Sequence, residues 1–261
     1  LQGMGIQPDI IVCRSEYPLD NGIKDKIALF CNVPSSHVLQ NLDVEYLYEA
    51  PLAMEEEHLA QVACECLGLP CPEPNLSDWK AMCTALKHPK GEVSVALVGK
   101  YTQLHDAYIS VVESLKHGGI ANGVSVNIKW VDSEKVTAEN VEEFLGDVSG
   151  IIVPGGFGDR GIEGMIQSIR YAREKKVPFL GLCLGMQLTI VEFTRDVVGY
   201  NDAHSVEFLP GTTHPVIHLM PDQEGIDDIG GTLRLGSYPC ILDESSKAYA
   251  LYGSKEIHER H

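Results

Sequence analysis

The feature that most constrains the fold is a regular alternation of apolar strand patterns with helical patterns from residue 93 onward. Strands are expected where apolar residues run continuously or alternate with period two, and helices where they recur at three-to-four spacing. The predicted strands lie at residues 93–98, 124–130, 150–153 and 177–182, and the predicted helices at residues 107–115, 136–145, 165–173 and 186–198. Repeated units of this kind predict an α/β domain, a parallel sheet with helices on both faces.

The first seventy residues predict a second, partial α/β piece. Strands are expected at residues 9–13, 26–31 and 45–48, and a helix at residues 54–67. Three prolines then fall within residues 70–74, which forbids a continuous helix and indicates a linker. We therefore divide the chain into residues 1–70, a linker at 71–92 and a domain at 93–261. Beyond residue 201, strand patterns at 216–220 and 231–235 are more typical of an antiparallel edge.

Composition excludes several classes of protein. The 20 Lys and Arg residues against 37 Asp and Glu residues give a net charge of −17 at pH 7, which repels nucleic acids and anionic membranes. We therefore expect neither nucleic acids nor membranes among the partners. The eight cysteines lack the density of a secreted disulfide scaffold, and no signal peptide precedes them, so a cytoplasmic protein is expected. Since the first residue is Leu1 rather than Met, the chain is expected to begin inside a longer protein.

The most informative segment is the end of the last predicted strand, which runs into Gly181-Leu182-Cys183-Leu184-Gly185. Glycines two residues before and after a nucleophile allow a strand to turn sharply into a helix, which exposes the nucleophile. At the helix N-terminus, Cys183 lies beside unpaired N–H groups that favour its thiolate. A buried structural cysteine at a tight turn is the alternative that these residues leave open.

A second segment, Pro154-Gly-Gly-Phe-Gly158, follows the predicted strand at 150–153. Its glycines leave backbone N–H groups accessible. Beside the Cys183 turn, such N–H groups and that of Leu184 are suited to form an oxyanion hole for acyl transfer. A phosphate-binding loop or a merely tight turn is the alternative.

Together, the two segments resemble the oxyanion loop and the nucleophile turn of the class I glutamine amidotransferase domain. Further segments of the second part resemble the CTP synthase family: Val98-Gly-Lys-Tyr101, Asp106-Ala-Tyr108, Ser114-Leu-Lys-His-Gly118, Gly185-Met-Gln187, Glu207-Phe208, Gly230-Gly-Thr-Leu-Arg-Leu-Gly236 and Glu259-Arg-His261. Segments of the first part resemble the end of that family's P-loop-type synthetase (amidoligase) domain: Ile6-Gln-Pro-Asp-Ile10, Cys13-Arg-Ser15 and Lys26-Ile-Ala-Leu-Phe-Cys-Asn-Val33.

The resemblance implies ATP-dependent amination of UTP to CTP, with ammonia released from glutamine through a cysteine thioester. It implies that Cys183 is the nucleophile and that the backbones of Gly156 and Leu184 bind the oxyanion. The implied glutamine-binding residues are Gly156, Phe157, Leu184, Gly185, Met186, Gln187 and Glu207. Lys26 is implied to contact UTP or CTP, and Arg14 and Val44 to contact ATP. The family further implies ATP and Mg²⁺ as cofactors, GTP as an allosteric activator and a homotetramer.

The sequence also departs from the family pattern. The Gly-rich phosphate loop of the synthetase domain has no match here, so the phosphate and metal site is expected outside the chain. The family's His-Pro-Glu motif, which carries the catalytic His and Glu, and its arginine for the glutamine carboxylate have no match either. His214-Pro215 lacks the Glu, and we interpret His214 as a turn histidine. We therefore expect a central fragment that is inactive or nearly so by itself.

Other interpretations remain open from the sequence. The spacing of Cys64, Cys66 and Cys71 does not favour zinc, and we expect no metal site in the chain. The function is either that of a CTP synthase, that of a glutaminase subunit of another amidotransferase, or that of a non-catalytic α/β binding or assembly module.

Overall fold

The computed structural model describes residues 2–218 and 236–260. The chain forms two compact units, one of residues 1–91 with 119–125 and the other of residues 92–118 with 126–261. Along the described residues, no helix is both long and apolar enough to cross a membrane.

The first unit contains a two-stranded parallel sheet. It consists of β1 (Ile11–Ser15) and β2 (Val38–Leu42), with Cys13 opposite Gln40. The helices of this unit are α1 (Asn21–Cys31), α2 (Ala50–Glu56), α3 (Leu59–Leu67) and α4 (Ser77–Lys87). Short 3₁₀ turns lie at Gln2–Met4, Ser35–His37 and Leu47–Glu49.

Two of the strands predicted for this unit are wrong. Residues 26–31 belong to α1, whose N-terminus is capped by Asp20, since its carboxylate accepts a hydrogen bond from the N–H of Ile23. The apolar run that suggested a buried strand is only partly buried, because Ala28 is 5% exposed whereas Leu29 and Phe30 are each 79% exposed. Residues 45–48 lead into a 3₁₀ turn, whereas the actual second strand, β2, was not predicted.

Helix prediction in this unit was only partly correct. The helix expected at 54–67 is interrupted at His58, which has a left-handed backbone with φ 59° and separates α2 from α3. The segment expected to be a linker, residues 71–92, contains the eleven-residue helix α4.

The second unit is built on a four-stranded sheet in the order β4-β3-β5-β6. Its strands are β3 (Glu92–Gly99), β4 (Ser125–Asp132), β5 (Gly150–Val153) and β6 (Phe179–Gly181). The pairs β3–β5 and β5–β6 are parallel, with Ala96 opposite Ile151 and Ile152 opposite Leu180. The helices that alternate with these strands are α5 (Ile109–Asn122), α6 (Val141–Leu145), α7 (Ile162–Lys175) and α8 (Leu184–Phe193). The predicted α/β fold is confirmed.

Smaller elements follow α8. A π-helical turn at Thr194–Val198 leads to the parallel pair β7 (His204–Ser205) and β8 (Pro215–Ile217). An antiparallel pair, β9 (Ser237–Ile241) and β10 (Glu256–Arg260), encloses α9 (Lys247–Tyr252). The strand predicted at 216–220 overlaps β8, although residues 219 and 220 lie outside the described residues, as does the strand predicted at 231–235.

The core of the second unit lies between the sheet and the helices α7 and α8. Its fully buried members include Val98 of β3, Val153 of β5, Met165 of α7 and Leu188 of α8. Burial of such side chains stabilises a domain by about 1.5–3 kcal/mol each relative to exposure. This packing holds the carboxyl ends of β5 and β6 side by side, and both predicted functional loops begin there.

Candidate active site

Cys183 occupies a strained turn between β6 and α8. Its backbone has φ 52° and ψ −105°, a conformation that is costly for a residue with a side chain. The turn is held by hydrogen bonds from Leu182 N–H to Val153 O (2.9 Å) and from Gln187 N–H to Cys183 O (3.0 Å). The side chain is exposed. The turn therefore presents the thiol to solvent at the N-terminal end of a helix.

Two glycines make this turn possible by allowing backbones to approach closely. A Cβ atom added to Gly185 would lie 2.0 Å from the carbonyl oxygen of Val153. A Cβ atom added to Gly181 would lie 2.6 Å from the carbonyl carbon of Gly185. Because both contacts are with backbone atoms, neither position tolerates a side chain without movement of β5 or α8.

The glycine-rich loop 154–158 lies directly beside this turn. A Cβ atom added to Gly155 would lie 3.4 Å from Cβ and 3.9 Å from Sγ of Cys183. A Cβ atom added to Gly156 would lie 3.8 Å from Cδ2 of Leu184. The structure therefore brings together the two segments that the sequence singles out. Phe157 extends outward from the loop and is 74% exposed.

A lysine that the sequence analysis did not single out as functional supports the loop. Lys100, directly after β3, is buried, and its Nζ donates hydrogen bonds to the carbonyl oxygens of Phe157 (3.0 Å) and Gly158. Burial lowers the pKa of Lys100, the Arg160 guanidinium lowers it further, and Asp159 and Glu207 oppose this. Two sequence signals point to Lys100: it closely follows a predicted strand, where functional residues of parallel sheets often lie, and it belongs to the family-like segment Val98-Gly-Lys-Tyr101.

The remaining residues predicted to bind glutamine fall on two segments. Leu184 and Gly185 are buried in the first turn of α8 and offer backbone groups, whereas Met186 is exposed and Gln187 is half-buried. Glu207 follows β7 and is exposed. Its carboxylate favours the charged form of Lys100 and so opposes the lowering of the Lys100 pKa by burial.

His214 has a carboxylate partner that the sequence analysis did not foresee. Its Nδ1 lies 2.6 Å from Oδ1 of Asp202, and its ring stacks on Tyr200 with centroids 4.2 Å apart. Hydrogen bonds from Thr213 and His214 hold the pKa of Asp202 well below its usual range. Because Asp202 lies just before β7 and His214 directly before β8, this pair ties together the chain segments that enter the two strands.

The residues predicted to contact nucleotides lie in the first unit. Arg14 of β1 forms an ion pair with Asp43 (Nη2 to Oδ1, 2.7 Å), and Asp43 directly precedes Val44. The structure thus brings the two residues predicted to contact ATP close together, whereas Lys26 is exposed on α1. Within residues 2–218 and 236–260, no three His, Cys, Asp or Glu side chains are grouped to hold a metal. The side chains of Arg14, Val44 and Lys26 carry no oxygen ligand, so these three residues do not fit a Mg²⁺ site.

Comparison with known proteins agrees with both halves of the chain. The sequence profile "Glutamine amidotransferase class-I" matches residues 103–261, and the profile "CTP synthase N-terminus" matches residues 1–69. The CTP synthase of Clostridium acetobutylicum is 56% identical over 261 residues, which are 100% of this chain and 49% of that protein. The chain belongs to the CTP synthase family. The resemblance inferred from the sequence motifs is confirmed.

Other CTP synthases show the same relationship. Those of Ruminiclostridium cellulolyticum and Geobacillus kaustophilus are 54% and 52% identical over 100% of this chain and 49% of each relative. The solved structure "Trypanosoma brucei CTPS - glutaminase domain with bound acivicin" is 38% identical, with a TM-score of 0.58 over 65% of this chain and 66% of that chain. The chain spans about half the length of the curated CTP synthases that it matches.

Proposed function

We propose that the second unit hydrolyses glutamine for a CTP synthase, with Cys183 as the nucleophile. The observation that carries this proposal is the contact between the glycine-rich loop and the strained Cys183 turn, where Gly155 lies against the side chain of Cys183. An exposed thiol at a helix N-terminus, next to a loop of accessible N–H groups, is suited to attack a carboxamide and to stabilise the oxyanion that forms.

In the proposed reaction, the Cys183 thiolate attacks the side-chain carbonyl carbon of glutamine. The N–H groups of Gly156 and Leu184 stabilise the tetrahedral oxyanion, and the amide nitrogen takes up a proton and leaves as ammonia. Water then hydrolyses the glutamyl thioester, which releases glutamate and regenerates the thiol. Phe157, Gly185, Met186 and Gln187 line the substrate pocket, and the Glu207 carboxylate binds the substrate ammonium.

The ammonia then serves the ATP-dependent amination of UTP to CTP in the complete enzyme. Lys26 contacts UTP or CTP, and Arg14 and Val44 contact ATP, whose hydrolysis supplies the energy for amination. ATP and Mg²⁺ as cofactors, GTP as an activator, a homotetramer and a cytoplasmic location belong to the same proposal and rest on the family resemblance. The match of residues 1–69 to the CTP synthase N-terminus favours this function over a glutaminase subunit of another amidotransferase.

Labelling with a chloroketone analogue of glutamine tests the nucleophile. Because Cys66, Cys71 and Cys240 are also exposed, they are internal controls for simple accessibility. Peptide mapping is expected to find the adduct at Cys183, with glutamine slowing its formation. Cys183→Ala should abolish this adduct, and Cys240→Ala should leave its rate unchanged. Equal labelling of the exposed cysteines, without protection by glutamine, would contradict the proposal and favour a non-catalytic module.

A further inference from the structure

A buried cation lies beneath the glycine-rich loop, and the reaction described above assigns it no part. Lys100 is 5% exposed, and its ammonium donates to the carbonyl oxygens of two successive loop residues, Phe157 and Gly158. Its aliphatic stem lies beside a third, since a Cβ atom added to Gly156 would lie 3.6 and 3.7 Å from Cδ and Cε of Lys100. One side chain therefore lies along the loop over three residues.

The backbone of Lys100 is itself fixed from two sides. The hydroxyl oxygen of Tyr108, which is buried, accepts hydrogen bonds from the N–H groups of Lys100 (3.1 Å) and Tyr101 (3.3 Å). Nη2 of Arg160 donates to the carbonyl oxygen of Lys100 (3.1 Å), and Nη1 of Arg160 pairs with Glu134. These hydrogen bonds fix the main chain of Lys100. The side chain therefore extends toward the loop from a fixed backbone.

The positive charge of Lys100 strengthens its hydrogen bonds to the two loop carbonyl groups. A buried cation is costly unless it is hydrogen-bonded, and hydrogen bonds to charged groups are stronger than those between neutral groups. The carbonyl groups of Phe157 and Gly158 are therefore held toward the lysine. Since a trans peptide places its C=O and N–H on opposite sides, the N–H groups of Gly158 and Asp159 point away from the lysine.

We propose that Lys100 is a positioning residue for acyl transfer, whose ammonium holds loop 154–158 in the conformation that packs Gly155 against Cys183 and Gly156 against Leu184. This inference rests on the proposed function of Cys183. Lys100 does not touch the substrate and acts through the loop alone. Loss of the ammonium leaves the nucleophile intact but loosens loop 154–158, which carries the Gly156 N–H proposed to stabilise the oxyanion.

Two electrophiles test this role in the 261-residue chain, because one reacts through a tetrahedral oxyanion and the other does not. A glutamine chloroketone passes through a tetrahedral oxyanion when the thiolate adds to its carbonyl, whereas iodoacetamide reacts by direct displacement of iodide. Lys100→Met keeps the length of the stem without the charge, and Lys100→Arg keeps a cation. Lys135→Met removes an exposed lysine of the same unit, which pairs with Asp132, and is the matched control.

The chloroketone is expected to react at Cys183 at least about tenfold more slowly in Lys100→Met, because a lost or misplaced oxyanion donor costs about 10²–10³ in rate. Iodoacetamide should react within about twofold of wild type, Lys100→Arg should recover part of the chloroketone rate, and Lys135→Met should match wild type. Amide hydrogen exchange at residues 155–158 should be faster in Lys100→Met.

Three outcomes would overturn the role of Lys100. One is an unchanged chloroketone rate in folded Lys100→Met, and another is unchanged amide exchange in the loop. The third is an equal change of both electrophiles' rates together with a lost thermal transition, which shows a folding role only. If the chloroketone labels wild type at Cys183 in these cases, the proposed function stands. If it fails to label wild-type Cys183, the proposed function and the role of Lys100 both fall.

Discussion

His204 shows how burial at a single residue makes stability depend on pH. Its side chain is buried, and its Nδ1 accepts a hydrogen bond from the N–H of Ser205 (2.9 Å), which requires the neutral ring in its Nε2–H tautomer. Burial lowers the pKa of His204 below its ordinary value of 6.5, the Arg195 guanidinium lowers it further, and Glu163 opposes this. Protonation of this histidine is therefore favoured in the unfolded chain over the folded one.

Stability is consequently expected to be full above pH 6.5 and to decline as the pH falls below this value, since the unfolded chain then binds the extra proton. The slope from one such group is at most about 1.4 kcal/mol per pH unit. Urea unfolding at pH 7.5 and 5.5 should show a smaller loss of unfolding free energy in His204→Gln than in wild type. An equal loss in the two proteins would contradict the assignment.

Arg173 and Glu192 form a second residue-scale feature, an ion pair that is mostly removed from water. Glu192 is 1% exposed, and both Nε and Nη2 of Arg173 contact its Oε1, at 2.9 and 2.8 Å. Arg173→Met should destabilise the chain by at least about 2 kcal/mol. This lower bound is set below the ~3–5 kcal/mol expected for a fully buried pair, because the side chain of Arg173 is 35% exposed.

Arg170→Met is the matched control for this measurement. Arg170 lies on the same helix, and its pair with Glu174 is exposed on both sides, so its loss should cost less than about 1 kcal/mol. Equal unfolding free energies of the two variants would contradict this account.

At the scale of elements, the sequence predicts structure best where burial and local pattern agree. The strand expected at residues 150–153 is β5, Gly150–Val153, because this run is apolar and central in a parallel sheet. Residues 27–31 are also apolar but belong to α1, on which Leu29 and Phe30 are exposed. The capping residue Asp20 indicates this helix, whereas the apolar run suggests a strand. Hydrophobicity alone therefore does not distinguish a buried strand from a helix with an exposed apolar face.

The same contrast applies to the candidate site. The turn around Cys183 was predictable, because its glycines and its nucleophile are adjacent in sequence. The support from Lys100 and the pairing of His214 with Asp202 were not, because each depends on residues that folding brings together from distant positions. Lys100 is 57 residues from Phe157, and His214 is 12 residues from Asp202. Sequence spacing carries no signal for such contacts.

The packing of α8 against β5 gives a prediction at this scale. Gly185→Ala places a methyl group against the carbonyl oxygen of Val153, and overpacking of this kind costs about 1–3 kcal/mol or more. We expect a lower unfolding free energy together with loss of chloroketone labelling at Cys183, since the turn must shift. Gly211→Ala, whose added methyl group meets no atom of the described residues within 4 Å, should preserve both. Normal labelling of a folded Gly185→Ala protein would contradict the account.

At the scale of the molecule, the residues proposed for the two reactions belong to different compact units. The proposed glutamine site lies in one compact unit and the proposed nucleotide contacts lie in the other. The expectation that residues 1–261 alone hydrolyse glutamine hardly at all stays a prediction, which rests on general-base assistance being worth about 10²–10⁴ in rate. Since the chain spans about half of its curated relatives, the coupling of the two reactions is a property to test in a protein of their full length.

The most direct test of the central claim is therefore the nitrogen source for CTP formation in such a full-length protein carrying Cys183→Ala. The account predicts that CTP formation from glutamine is lost, because alanine cannot form the thioester, while CTP formation from free ammonia continues at close to the wild-type rate. CTP formation from glutamine that persists in this variant would contradict the role assigned to Cys183.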